Sequence, residues 1–84
     1  MYYLYILQSQ KNGRYYIGST DHLLKRFYRH QSGGNKSTRP HRPWVLVHME
    51  TFRTRGEAQK REYQVKSWKS RQAIKDLILN TKGS

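Results

Sequence analysis

The chain has 84 residues, which makes one small domain burying only roughly 60–65% of its unfolded surface, so much of its aromatic content is needed for the core. Seventeen Lys and Arg stand against five Asp and Glu, and a net charge of +12 implies a polyanionic partner. Nucleic acid suits that charge better than an anionic membrane, because no segment joins a basic face to a wide apolar stripe; with no cysteine, disulfides, thiolate metal sites and thiol catalysis are excluded.

In chain order, residues 2–8 are rich in aromatic and β-branched types and predict a strand. This apolar start is too short for a membrane span and lacks the basic lead of a signal peptide, so a cytoplasmic protein is expected. Asn12-Gly13 signals a turn, and Arg14 to Ser19 reads as the second strand of a hairpin. Thr20 or Asp21 can cap a helix over 23–31, which Ser32-Gly33-Gly34 ends. Residues 33–43 form a loop carrying Lys36, Arg39, His41 and Arg42. A third strand spans 44–52, where Val45, Val47 and Met49 alternate with Trp44, Leu46 and His48. Thr54-Arg55-Gly56-Glu57 matches a capping box and opens a helix reaching about Trp68. Ser70 caps a last helix over 71–79, with Ala73, Ile74, Leu77 and Ile78 on one side. The order β-β-α-β-α-α predicts an α+β fold, a two-layer domain in which helices flank a three-stranded antiparallel sheet. It fills residues 1–80 and leaves 81–84 as a frayed tail.

Three features carry chemistry. On the second helix, Ala58, Glu62 and Val65 fall within one narrow arc at about 100° per residue, so Glu62 lies on the face toward the sheet. A carboxylate there needs a partner. Either Lys66 supplies it at i+4, or Glu62 is a metal ligand at the core's edge. On the first helix, Leu23, Phe27 and His30 share a face with Arg26 at its margin. Arg26 and His30 can converge on one point, the first suited to a phosphate and the second to a phosphate or a proton. The bland alternative is a packing histidine beside a solvated arginine. In the hairpin, Tyr5 and Tyr16 share a sheet face. A tight Asn12-Gly13 turn would leave them four residues apart, and a wider loop would bring them together.

At this point the sequence resembles the GIY-YIG nucleases, in particular the small stand-alone bacterial members. Tyr3-Leu4-Tyr5, ten residues, then Tyr16-Ile17-Gly18 looks like their signature, with Tyr3-Leu4 standing where the signature has Gly-Ile. Arg26, His30 and the Ala58-Gln59-Lys60-Arg61-Glu62 helix follow at matching distances, so the likeness runs from Tyr3 to Ile78. It implies a divalent-metal-dependent endonuclease hydrolysing phosphodiesters, with Tyr5, Tyr16, Arg26, His30 and Glu62 catalytic and Gly18 structural. One Mg²⁺ or Mn²⁺ would sit on Glu62. Tyr5 would act as base with Tyr16 as partner, provided that nearby cations lower its pKa from near 10. Lys25, Arg29, Lys36, Arg39, Arg42 and Lys66 would hold neighbouring phosphates, which gives affinity without sequence information. Structure-selective DNA is therefore the expected substrate, of the repair or recombination kind. A non-catalytic DNA- or RNA-binding module on the same fold is the alternative. A subunit that delivers a partner protein would instead expose an apolar patch at Trp68 and the last helix.

Overall fold

A computed structural model of the chain describes residues 1–82. Its elements are β1 (Tyr2–Ser9), β2 (Tyr15–Thr20), α1 (Leu23–Ser32), β3 (Trp44–Phe52), α2 (Arg55–Ser67) and α3 (Arg71–Lys82), with a 3-10 turn at Arg39–His41. This is the expected α+β order. The sheet is antiparallel with strand order β2-β1-β3, so the N-terminal strand lies in the middle and β2 and β3 are edges. Helix α3 carries a helical backbone to Lys82, and the rest of the expected tail, residues 83–84, lies outside the described residues.

The hairpin loop sets the register that matters most. A two-residue turn would pair Lys11 with Arg14. Instead the Ser9 N–H donates to the Arg14 carbonyl at 2.8 Å, and the Gly13 N–H returns to the Ser9 carbonyl at 2.9 Å. Gly13 takes φ +77°, a conformation that glycine adopts without a Cβ clash. The register moves by two residues, so Tyr5 faces Gly18 and Leu7 faces Tyr16. The Tyr5 and Tyr16 rings come to 6.3 Å between centroids, as the wider-loop option required.

Strand β3 departs from simple alternation. Its pairing with β1 slips between Ile6 and Leu7, which face His48 and Leu46, and Val47 is the extra residue. A one-residue bulge reverses every later side chain. Trp44 and Leu46 therefore lie on the Tyr5 face, whereas His48 and Glu50 join the Leu4 face. The two faces hold separate apolar clusters. Leu4, Ile6, Ile17, Val65, Ile74 and Ile78 form the larger one, under α2 and α3. Tyr5, Leu7 and Trp44 form the other, closed by Tyr16 and by Leu23 and Phe27 of α1. The helical layer is thus divided between the two sides of the sheet. Trp68 is packed against the larger cluster with Arg61 5.6 Å from its ring, whereas Leu79 of α3 stands 55% exposed.

The helix ends follow from local chemistry. Thr54 accepts from the Glu57 N–H at 3.2 Å and Ser70 from the Ala73 N–H at 3.1 Å, as expected of caps. Gly33 closes α1 in the left-handed conformation at φ +86°. The start of α1 differs from expectation. Thr20 bonds the His22 N–H at 3.1 Å, one residue too early, and His22 occupies the cap position without a side-chain bond.

Candidate active site

The chemically equipped residues meet at the outer edge of β2. Tyr5 reaches there from the central strand across Gly18. A Cβ on Gly18 would stand 2.5 Å from the Tyr5 hydroxyl and 2.7 Å from its ring carbon, so only glycine leaves the ring its place. Glu62 arrives from the other side of the sheet. It comes around the edge on α2 and accepts a 2.6 Å hydrogen bond from the Ser19 hydroxyl. Arg26 stands exposed at the margin of α1, and His30 is fully buried on that helix. The Tyr16 and His30 rings pack at 4.7 Å between centroids, tilted by 56°.

Tyr5 and His30 belong to a hydrogen-bond chain whose direction can be derived. Thr38 spends its one hydroxyl proton on the Asn35 carbonyl at 3.4 Å. With that proton on the carbonyl, the Thr38 oxygen is open to accept from His30 Nδ1, 2.8 Å away. A neutral ring protonated at Nδ1 leaves Nε2 as an acceptor, and Nε2 lies 3.1 Å from the Tyr5 hydroxyl. The chain therefore runs from Tyr5 to His30 to Thr38 to Asn35. The neutral ring agrees with its surroundings, because burial pulls His30 below the ordinary histidine value and the Arg26 and Arg29 charges pull the same way. Tyr5 contradicts the expectation that cations would lower its pKa. Burial raises the hydroxyl well above the tyrosine range. Tyr16 and Glu62 add to the rise, and Arg26 opposes it without overcoming it. Tyr5 keeps its proton.

Glu62 is the carboxylate suited to a metal. Its second oxygen is 2.6 Å from the Lys66 ammonium, so the i+4 pairing considered from sequence is present. Lys66 is 52% exposed and Glu62 23%, and such a pair is weak. A cation thus already sits beside that oxygen. Among the described residues no three metal-ligating side chains cluster. One carboxylate completed by water and phosphate oxygens is nevertheless a form that Mg²⁺ accepts.

The six expected phosphate contacts do not form one patch. Lys25 and Arg29 line a cleft with Thr20, His22 and Arg26 at the end of β2. Arg39 and Arg42 flank a second cleft with Lys11 and Gln31, and they also brace their loop through Nε bonds to the Gly33 and Arg39 carbonyls. Lys66 lines a third, and Lys36 stands exposed on the loop. Sequence reasoning missed Ser19 and Thr38. Strand alternation could have flagged Ser19, which shares the Ile17 face. Thr38 lies in an aperiodic loop, where no single-sequence signal points inward. Glu50 was missed as well: it too faces α2, so Glu62 is not alone on an inward face.

An antiparallel sheet with tyrosines from two strands, an arginine from the next helix and a glutamate from the helix after β3 defines a class. The chain matches the GIY-YIG catalytic domain family over residues 1–75. It belongs to that family, whose domains are of the nuclease type and bind nucleic acid. Its relatives narrow the assignment to small UPF0213 proteins. One from Staphylococcus saprophyticus is 39% identical over 75 residues, covering 88% of this chain and 90% of its own. Another, from Bacillus pumilus, is 40% identical over 79 residues, 93% of this chain and 78% of its own. The solution NMR structure of a UPF0213 protein from Bacillus halodurans superposes with a TM-score of 0.58 at 38% identity, over 93% of this chain and 83% of that one.

Proposed function

We propose that the protein is an endonuclease that hydrolyses phosphodiester bonds of structured DNA at the β2 edge. The observation that carries this reading is the hydrogen-bond chain that starts at Tyr5, beside Arg26 and Glu62, and runs through neutral His30 to Thr38. Attack by water needs a proton acceptor. Free tyrosinate is unfavourable in this buried position, so the tyrosine does not act as a base by itself. Tyr5 instead passes a proton on: as water adds to phosphorus and the bond to the leaving oxygen breaks, Tyr5 takes the water's proton and gives its own to His30 Nε2. His30 is neutral in the fold, so Nε2 has a lone pair to offer, although burial and the Arg26 and Arg29 charges make it a weaker base than a free imidazole. Arg26 presents a fork that matches two phosphate oxygens as negative charge builds. Tyr16 walls the site and keeps His30 in place by the tilted contact of their rings. Glu62 would hold one Mg²⁺ or Mn²⁺, which supplies Lewis-acid stabilisation of the phosphate and the leaving oxygen.

The surrounding cations address phosphates, which carry no base identity. Substrate shape rather than sequence is therefore the selective feature, and a role in DNA repair or recombination follows from that preference. Incubating the protein with labelled branched, nicked, single-stranded and duplex DNA, with Mg²⁺, with Mn²⁺ and with EDTA, tests the reading. Cleavage of branched or nicked DNA in either metal and none in EDTA is expected. Tight binding with no cleavage of any substrate in either metal would replace it with a non-catalytic binding module on the same fold.

A further inference from the structure

Beyond Glu62, toward the hairpin turn, the β2 edge opens into a cleft of about 420 Å³ between the start of the strand and the corner joining α2 to α3. Arg14, Lys66, Lys69 and Arg71 stand on its rim, and Tyr15 and Ile17 form part of its floor. No carboxylate is among its lining residues. Four like charges around one opening repel each other, and among the described residues only Lys66 of the four is paired with a carboxylate. Two details show that the rim is built. The Arg71 guanidinium lies 5.0 Å above the Tyr15 ring, which fixes its direction. Lys69 turns the corner at φ +49°, in the left-handed region where glycine or asparagine would be at ease. A lysine there costs about 1 kcal/mol of conformational energy relative to glycine.

We propose that this cleft binds the phosphate backbone of the substrate strand on the hairpin-turn side of the scissile bond. The proposal rests on the nucleic-acid reading above. The strand would run from the Lys25 and Arg29 cleft at Thr20, past Glu62, to Arg71. At about 3.3 Å per residue, six-residue β2 gives an edge of roughly 20 Å, long enough for several phosphates. Lys66 joins the two halves of the path, since it touches Glu62 and lines the cleft. The apolar floor suits a sugar or base beside phosphates held on the rim.

The test is binding of fluorescein-labelled single-stranded and duplex DNA by anisotropy, in EDTA so that cleavage plays no part, over a series of salt concentrations. Arg14→Gln, Lys69→Asn and Arg71→Gln are combined in one variant, with melting temperature as the check on folding. Each phosphate contact contributes about 0.7–0.9 to the slope of log K against log salt, so the slope should become shallower by about two units. A matched variant at Arg53, Lys60 and Lys75, which line none of the clefts described, should leave it nearly unchanged. Lys69→Asn alone relieves the strained backbone, folds at least as well, and should remove a little under one unit. A triple variant that binds with the parent's slope overturns the cleft and leaves the nuclease reading standing. A parent protein that binds neither DNA overturns both.

Discussion

Two half-buried glutamates stand where α2 packs on the sheet, Glu50 from β3 and Glu62 from α2 itself at the β2 edge, and their partners differ in kind. Glu50, on β3, receives both Nε and Nη2 of Arg61 at 2.9 and 3.2 Å and His48 Nε2 at 2.8 Å. Glu62, at the β2 edge, has a serine hydroxyl and one largely exposed lysine. The bidentate arginine is planar, weakly hydrated and held over Trp68, so it fixes Glu50 in one geometry. The lysine is a hydrated point charge on a flexible stem. Both are salt bridges, but one closes a corner of the fold and the other leaves a carboxylate open to exchange. On the proposed reading, the β3 side is structural and the β2 side is the chemical one.

The strongest way to break this comparison is to neutralise each acid. Glu62→Gln keeps the shape and the Ser19 contact and removes the charge. Cleavage should fall by several orders of magnitude, with melting temperature and DNA binding in EDTA near the parent's. Glu50→Gln should do the reverse. Losing a charged partner of Arg61 and His48 should cost about 1–3 kcal/mol of stability, while the folded fraction still cuts DNA. A Glu50→Gln protein that is folded but inactive, or a fully active Glu62→Gln protein, would erase the distinction.

The next largest effect sharpens the chemical side. Tyr5→Phe deletes one oxygen and keeps the ring over Gly18. If Tyr5 conducts the proton, cleavage should drop about 10²–10⁴-fold with little loss of stability. Thr38→Val removes the acceptor that fixes the His30 tautomer while roughly keeping the side-chain volume. It should impair cleavage less than Tyr5→Phe and cost about 1–3 kcal/mol, because the Nδ1–H is left buried without an acceptor. Full activity in Tyr5→Phe would leave Arg26 and the metal as the whole of the chemistry.

The same contrast explains what was legible beforehand. Helix periodicity places Glu62, Arg26 and His30 correctly, because a 3.6-residue repeat tolerates small errors. The strand pattern of β3 misplaces the face of His48, because a period of two is reversed by the single bulge at Val47. The Tyr5–Tyr16 approach was open in sequence because loop length sets the register, and the loop's bonds through Ser9 cannot be read from Asn12-Gly13 alone. The sign of the Tyr5 shift was misjudged because net charge is a property of the whole surface, whereas burial acts on one hydroxyl.

A smaller effect concerns affinity. Lys36 stands exposed on the loop after α1, whereas Arg39 and Arg42 also brace that loop. Lys36→Ala therefore tests the loop's charge without disturbing its fold. If Lys36 contacts one phosphate, the slope of log K against log salt should become shallower by about 0.7–0.9, and melting should not change. An unchanged slope would remove Lys36 from the path.

The smallest effect is on stability as pH falls, and it separates the two sides by the window in which each acts. On the β2 side, His30 has a folded pKa below its unfolded value of about 6.5. The unfolded chain then takes a proton that the folded chain refuses, so His30's share of stability is whole above that pH and is lost below it. On the β3 side, burial pushes the Glu50 carboxyl up, but the Arg61 and His48 bonds outweigh it and hold the pKa below the ordinary glutamate value of 4.5. Its share is present above 4.5 and disappears as pH drops through the lower, folded value. Melting temperatures taken from pH 8 to pH 3 should therefore fall in two steps. His30→Gln should flatten the step that starts near pH 6.5 and leave the acid step. Glu50→Gln should flatten the acid step and leave the first. If both variants instead flatten the same step, the two sides are one coupled titrating system, and the division between structure and chemistry fails at the level of the core.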